Sequence, residues 1–284
     1  MGMSGSMPGY LTVPAERLGE GTPVRVGTVE GMEGVARHMA EAMLEVIVEA
    51  QSQGRAATLI VPVGPVDQFP LLAEFINDRR VDCRDVLVIN MDEYLTDDDR
   101  WVAKDHPLSF RGYMDRKFYD LIGRDLAPRE ENRVFPHPGR CDEIQRLIAD
   151  RGGVDACFGG IGINGHIAFN EPPEPGEDVS DEVFATLPTR SLNLTRQTRT
   201  INSVTVGGEI AVIPRRAVTV GMAEILASRK LRFYCNRPWQ RAVVRRVLHG
   251  PITAACPASF LRTHSDAQIT VADYVAEPPE IALR

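Results

Sequence analysis

Three stretches of the chain carry residue types that could do chemistry. The first is "NMDEYL", Asn90 to Leu95, in which the apolar run "VLVIN" ends in two acids, Asp92 and Glu93. A carboxylate at the end of a buried strand loses water, which opposes its charge and raises its pKa towards that of a useful general base. Read the other way, the two acids open a solvated acidic turn that continues into Asp97, Asp98 and Asp99. The second stretch is "GGIGINGHIAFNEPP", Gly159 to Pro173. Its Gly160-x-Gly162-x-x-Gly165 spacing matches a dinucleotide fingerprint, but that fingerprint needs a helix to open at the third glycine. Pro172 and Pro173 follow too soon for that. The glycines read instead as places where a small ligand comes close to the backbone. His166 and Glu171 lie on the same loop, with Asn164 and Asn170 as neutral hydrogen-bonding neighbours. The third cluster joins Arg196 and Arg199 of "LTRQTRTINS" to the loop "PVGPVDQ" and to "NRPWQR" before a late helix. Arginines beside a helix N-terminus can hold an anion with two parallel hydrogen bonds.

Other chemistries lack their signatures. His166, Glu171, Asp92 and the acidic run could in principle share a metal, but no H-E-x-x-H, Cys-His spacing or Asp-rich calcium loop is present. No metal requirement and no cofactor are expected. There is no G-x-S-x-G elbow, and "ACPAS" around Cys256 lies on no expected strand-to-helix turn, which argues against a Ser or Cys hydrolase.

The elements that must position these residues can be read from hydrophobic spacing. Met32 to Gln53 carries Val35, Met39, Met43, Val46 and Ile47 at helical intervals and ends before Gly54. "ATLIVPV" reads as a buried strand, "QFPLLAEFIN" as a helix and "DVLVINM" as a second buried strand. Helices at "SFRGYMDRKFYDLI" and "EIQRLIAD" follow, then a strand in "VDACFGGIGI", strands in "AVTVGM" and "LRFYCN", and a helix in "WQRAVVRRVLHG". This alternation predicts an α/β fold with a mostly parallel sheet covered on both faces, and such sheets bind ligands beyond the carboxyl ends of their strands. No repeat or linker divides the chain, so one domain spanning 1–284 is expected, with a flexible start over about 1–20. The acidic, Pro-rich stretch from Glu171 to about 190 is expected to be a long surface loop or lid.

Composition narrows the partners. With 284 residues, 43% hydrophobic and 25% charged, the chain is long enough for a sizeable core. A net charge of −7 with no long basic run argues against a nucleic-acid partner. Five cysteines, odd in number and widely spaced, fit a reducing cytoplasm rather than a secreted disulfide framework. No apolar run approaches the roughly 18 residues of a membrane span, so no membrane partner is expected. "MGMSGS" formally fits a myristoylation pattern at Gly2 and Ser6, yet its repeated small residues read equally as a loose start.

Taken together, "NMDEYL", "HPLSFRGYM", "GGIGINGHIAFNEP", "LTRQTRTINS" and "AVTVGM" resemble, in that order, the motifs of the glucosamine-6-phosphate deaminase/isomerase family. The resemblance runs from about Val24 to Pro251. It implies a doubly wound, Rossmann-like three-layer α/β sandwich, a small sugar phosphate as substrate, and aldose to ketose isomerisation with loss of ammonia. It implies neither a redox cofactor nor a catalytic metal, and it implies a homo-oligomer. Asp92 falls on the family's general base, which moves a proton from C2 to C1. His166 falls on the residue that assists ring opening, and Glu171 on the acid partnered with it. The hydrolytic cousin 6-phosphogluconolactonase shares the fold, but "HIAFNEP" resembles the deaminase form of the loop more closely.

Two departures stand out. Asn164 replaces the family's usual Asp, and a neutral amide can orient an imidazole without stabilising its charge. In the expected phosphate loop, Gly64 is kept, but Pro65 has no N–H, Val66 has no hydroxyl and Asp67 would repel a dianion. Arg199 is retained, and the family's phosphate-binding lysine falls at Gln240, next to Arg241. Glu93, Gly162 and Gly165 complete the expected substrate contacts. Three readings follow: an aminosugar-phosphate deaminase/isomerase, a relative isomerising or deaminating a different sugar, with or without a phosphate, and a sugar-binding regulator without turnover. A complete acid-base trio argues against the third.

Overall fold

Two strands that are buried along their whole length set the frame. β2 (Thr58–Val61) and β3 (Leu87–Asn90) expose none of their residues, as expected of parallel strands covered on both faces. The computed structural model describes residues 7–65, 67–280 and 282; the Gly2 and Ser6 motif and Val66 lie outside the described residues.

In chain order the strands are β1 (Arg25–Val29), β2, β3, β4 (Asp92–Leu95), β5 (Arg133–Val134), β6 (Ala156–Gly160), β7 (Arg190–Asn193), β8 (Arg216–Thr219), β9 (Leu231–Cys235) and β10 (Ala267–Ala272). The helices are α1 (Gly31–Ser52), α2 (Gln68–Arg79), α3 (Phe110–Lys117), α4 (Asp142–Asp150), α5 (Asp181–Ala185), α6 (Arg196–Ser203), α7 (Met222–Leu226), α8 (Gln240–His249) and α9 (Asp273–Ala276). Seven strands form one sheet in the order β1-β10-β9-β6-β2-β3-β5, and every pairing in it is parallel. With helices flanking it, this is the expected doubly wound α/β sandwich. Among the described residues, no helix is long and apolar enough to cross a membrane.

The structure departs from expectation in three places. β8, the "AVTVGM" strand, does not join the parallel sheet. It is the centre of a second, antiparallel sheet, β4-β8-β7. This follows from β3 and β4 being separated only by Met91, too short a link for a parallel crossover. Residues 7–20 are not a loose lead-in: they form short 3-10 turns, and Leu18 is buried. The fully buried Arg245 of α8 donates to Val13 O (2.7 Å), which ties that segment to the body. Finally, the C-terminal segment contributes β10, which pairs with both β1 and β9.

The 171–190 stretch is exposed loop over residues 174–178, then turns into α5, whose Phe184 is buried and stacks on Phe260. Its end, at Leu187 and Pro188, lies directly over Gly221. A Cβ at Gly221 would stand 2.2 Å from Leu187 O and 2.2 Å from the Pro188 carbonyl carbon. Backbone on both sides cannot move as a flexible side chain can, so Gly221→Ala is expected to cost about 3 kcal/mol. A urea melt checks this, and an unchanged midpoint would contradict the close packing.

Candidate active site

The two sheets meet at one residue. Met91 N donates to Val61 O of β2 (2.8 Å), and Met91 O accepts from Val220 N just past β8 (2.7 Å). The chain therefore leaves the carboxyl end of the parallel sheet and enters the antiparallel one at Asp92. Asp92 pairs across the sheet with Thr219, and Thr219 Oγ1 accepts from Phe169 N (3.0 Å), on the loop that carries His166. One residue of β8 thus brings the strand of Asp92 and the histidine loop together.

Asp92 is 8% exposed, so the solvated acidic turn is not what forms here. Among the described residues its carboxyl makes no hydrogen bond within the protein. Burial, followed by the negative charge of Glu93, pushes its pKa up to about 8.

On the loop after β6, Asn164 links an acid to the imidazole. Its Nδ2 donates to Glu171 Oε2 (2.7 Å), so its Oδ1 must be the acceptor. That oxygen receives the His166 backbone N–H (3.1 Å) and lies 2.9 Å from His166 Nδ1. The arrangement puts the ring proton on Nδ1 and leaves Nε2 with its lone pair. Glu171 Oε2 itself is 3.5 Å from Nδ1. Burial opposes the Glu171 charge, but His166, Asn164 and Thr198 overcome it and hold the carboxyl at about 2. The charge that Asn164 cannot supply to an imidazolium is therefore present one step behind it.

Thr195, the N-cap of α6, and Thr198 within it complete the cluster, and residue type alone singles out neither. Thr195 N donates to Glu171 Oε1 (3.2 Å), its side chain caps α6 at Thr198 N (3.2 Å), and Thr198 Oγ1 lies 3.1 Å from His166 Nδ1. The signal was the T-x-x-T spacing in "LTRQT", a helix N-cap pattern.

Several expected ligand contacts are turned to structural use. Glu93 is fully buried, and its carboxylate is taken up by protein donors, Tyr94 N on its own strand and four groups at the start of α3. The space beside Gly162 is filled by the His166 ring, which a Cβ would meet at 2.1 Å. Gly165, at φ +91°, gives way to the Cys256 thiol at 2.6 Å from where a Cβ would stand. These glycines make room for side chains of the protein. Gln240 is buried, with Nε2 donating to Ile161 O (2.8 Å) and Oε1 accepting from Arg237 N (2.7 Å), so both ends of its amide are used. Arg241 Nε donates to Tyr274 O (2.6 Å). Arg199 holds Ile213 O (3.3 Å) and Ile210 O (3.0 Å). Gly64 and Pro65 lean over the end of β6, 3.4 and 3.5 Å from a Cβ placed on Gly160. Asn170 is wholly buried and ties the loop to Ile167 O and Val220 O.

Comparison with known proteins bears on this arrangement. No family model matches the chain. The glucosamine-6-phosphate deaminase of Streptomyces avermitilis is 30% identical over 259 residues, which cover 88% of this chain and 94% of that protein. The chain belongs to the glucosamine-6-phosphate deaminase family. The glucosamine-6-phosphate deaminase of Caenorhabditis elegans is 29% identical over 241 residues, 83% of this chain and 84% of that protein. Among solved structures, a monomeric glucosamine-6-phosphate deaminase superposes with a TM-score of 0.76 at 25% identity, covering 89% of this chain and 99% of that one. The 6-phosphogluconolactonase of Trypanosoma cruzi, at 13% identity and a TM-score of 0.64, shares the fold, over 89% of this chain and 96% of that one.

In this family member the raised Asp92 has a consequence for stability. Between the ordinary carboxyl value of 3.8 and about 8, the folded protein keeps a proton that the unfolded chain releases. Stability is therefore lost as pH rises through that window. Asp92→Asn removes the loss, so the variant is expected to gain on wild type from pH 5 to about pH 8 and to level off above it in urea melts. A difference that does not change with pH would contradict the burial of the charge.

Proposed function

We propose that the protein is an aminosugar-phosphate deaminase/isomerase, converting glucosamine-6-phosphate or a close analogue to a ketose phosphate with release of ammonia. The observation that carries this reading is the bridge at Thr219, which joins the strand of a buried, raised carboxyl to the loop of a histidine of fixed tautomer. Family membership supports the same activity.

The roles divide by chemistry. His166 Nε2, with its lone pair free, moves a proton at the ring oxygen and C1 hydroxyl as the sugar opens. The Asn164 and Glu171 pair holds the ring in place and balances the imidazolium as it forms. Once the chain is open, the C2 proton is acidified by the adjacent carbonyl, and Asp92 in its ionised form removes it and returns a proton to C1. The resulting C1–C2 rearrangement gives an imine-level carbon at C2, and water releases ammonia from it.

A second reading keeps this chemistry on an unphosphorylated sugar. It is favoured by the turn into α2, where Pro65 and Pro70 have no N–H to donate and Asp67 adds negative charge. The two expected phosphate partners at the start of α8, Gln240 and Arg241, are also engaged with main-chain groups.

The test is ammonia release with glucosamine-6-phosphate, galactosamine-6-phosphate and unphosphorylated glucosamine. Release that depends on the phosphate supports the first reading, release from glucosamine alone supports the second, and none from any of the three overturns both. Because the base must be ionised, turnover is expected to rise through about pH 8. Asp92→Asn should abolish turnover while changing ligand affinity by less than about tenfold.

A further inference from the structure

Glu93 sits beside the base and is fully buried. Five donors converge on its two oxygens. Oε1 accepts from Tyr94 N (2.9 Å) and Phe110 N (3.0 Å). Oε2 accepts from Ser109 Oγ (3.0 Å), Arg111 N (3.0 Å) and Arg111 Nε (3.2 Å). Ser109 in turn caps α3 by accepting from Gly112 N (3.2 Å). A single carboxylate thus takes up the first free N–H groups of α3, where negative charge also complements the helix dipole.

The helix start fastened in this way touches the other half of the site. The Phe110 ring lies 5.0 Å from Tyr94 and stacks at 6.1 Å on Phe169, and Phe169 lies 6.1 Å from the His166 ring. Arg111 reaches past Glu93 to Val102 O and lies over the Trp101 ring at 4.4 Å. One edge of the assembly holds the base, the other holds the histidine, and α3 spans them.

We propose that Glu93 is a positioning residue for proton transfer at Asp92: its carboxylate locks β4 to the first turn of α3 and, through Phe110 and Phe169, to the loop of His166. Its charge acts as well as its geometry, since a negative group next to Asp92 disfavours a second one there. The titratable and charged groups on the elements around Asp92 are Glu93 and Tyr94 on β4, Arg216 on β8, Arg190 on β7, Arg111, Tyr113, Asp115, Arg116 and Lys117 on α3, and His166 and Glu171 on the loop after β6. This assignment rests on Asp92 being the base, but it can be read without turnover.

The experiment is a direct titration of the Asp92 carboxyl by infrared difference spectroscopy, with Asp92→Asn as the blank, in wild type, Glu93→Gln and Arg111→Gln. Removing the neighbouring negative charge is expected to move the Asp92 midpoint down by about one pH unit, whereas removing the cation that offsets it moves the midpoint up. Glu93→Gln should also lower kcat at least tenfold with KM within threefold. A role confined to stability would lower the melting temperature of both variants and leave both midpoints in place, and that result would overturn the proposal, as would two shifts in the same direction. Should Glu93→Gln fail to fold, Arg111→Gln decides: an upward shift supports the proposal, and no shift or a downward one overturns it. Failure of the functional reading would show differently, as wild type with a titrating Asp92 and no ammonia release.

Discussion

Everything in the site depends on a single residue shared by two sheets. Met91 closes the parallel ladder at Val61 and opens the antiparallel one at Val220. Because its N–H is committed to one sheet and its carbonyl to the other, the direction in which Asp92 leaves the core is fixed by main-chain hydrogen bonds rather than by side-chain packing. Backbone bonds of this kind are costly to leave unmade in a buried place. The base is consequently held by the most heavily constrained part of the fold, while the histidine rides on a loop.

That loop is made rigid by a different device. Asn164, Glu171, Thr195 and Thr198 form a closed set in which each polar atom near the imidazole has a partner, and Asn170 pins the far end to β8. Beneath it, Gly162 and Gly165 are left bare so that the His166 ring and Cys256 can pack against the main chain. A glycine spacing that matches a nucleotide-binding fingerprint here results from the need to seat a ring and a thiol.

The sequence was legible where residue type and burial pattern coincide. An apolar run ending in two acids located Asp92, and a short loop dense in His, Asn and Glu located the rest. What could not be read was direction. Asp92 and Glu93 look equivalent in the sequence, but adjacent residues on a strand point to opposite faces, so only Glu93 reaches the start of a helix. Gln240 and Arg199 have the composition of ligand-binding side chains but are taken up by carbonyls that only the folded chain brings near. The short strand β1 has only exposed and half-buried residues, which gives no strong apolar run. β10 falls after the last recognisable motif, and the β-branched residues of "AQITVA" are its one sign in the sequence. The antiparallel sheet leaves no mark in the sequence because one linking residue, not a turn signature, separates β3 from β4.

The amide at Asn164 also alters the charge balance of the cleft. With Asp92, Glu93 and Glu171 already gathered within one end of the sheet, a fourth acid at this position would add to a field that repels any anionic substrate. A neutral group that both donates and accepts keeps the imidazole oriented without deepening that field. In exchange, the histidine relies on a carboxyl it reaches mostly through an intermediary, so the orientation of its ring is set by how well one small amide stays in place.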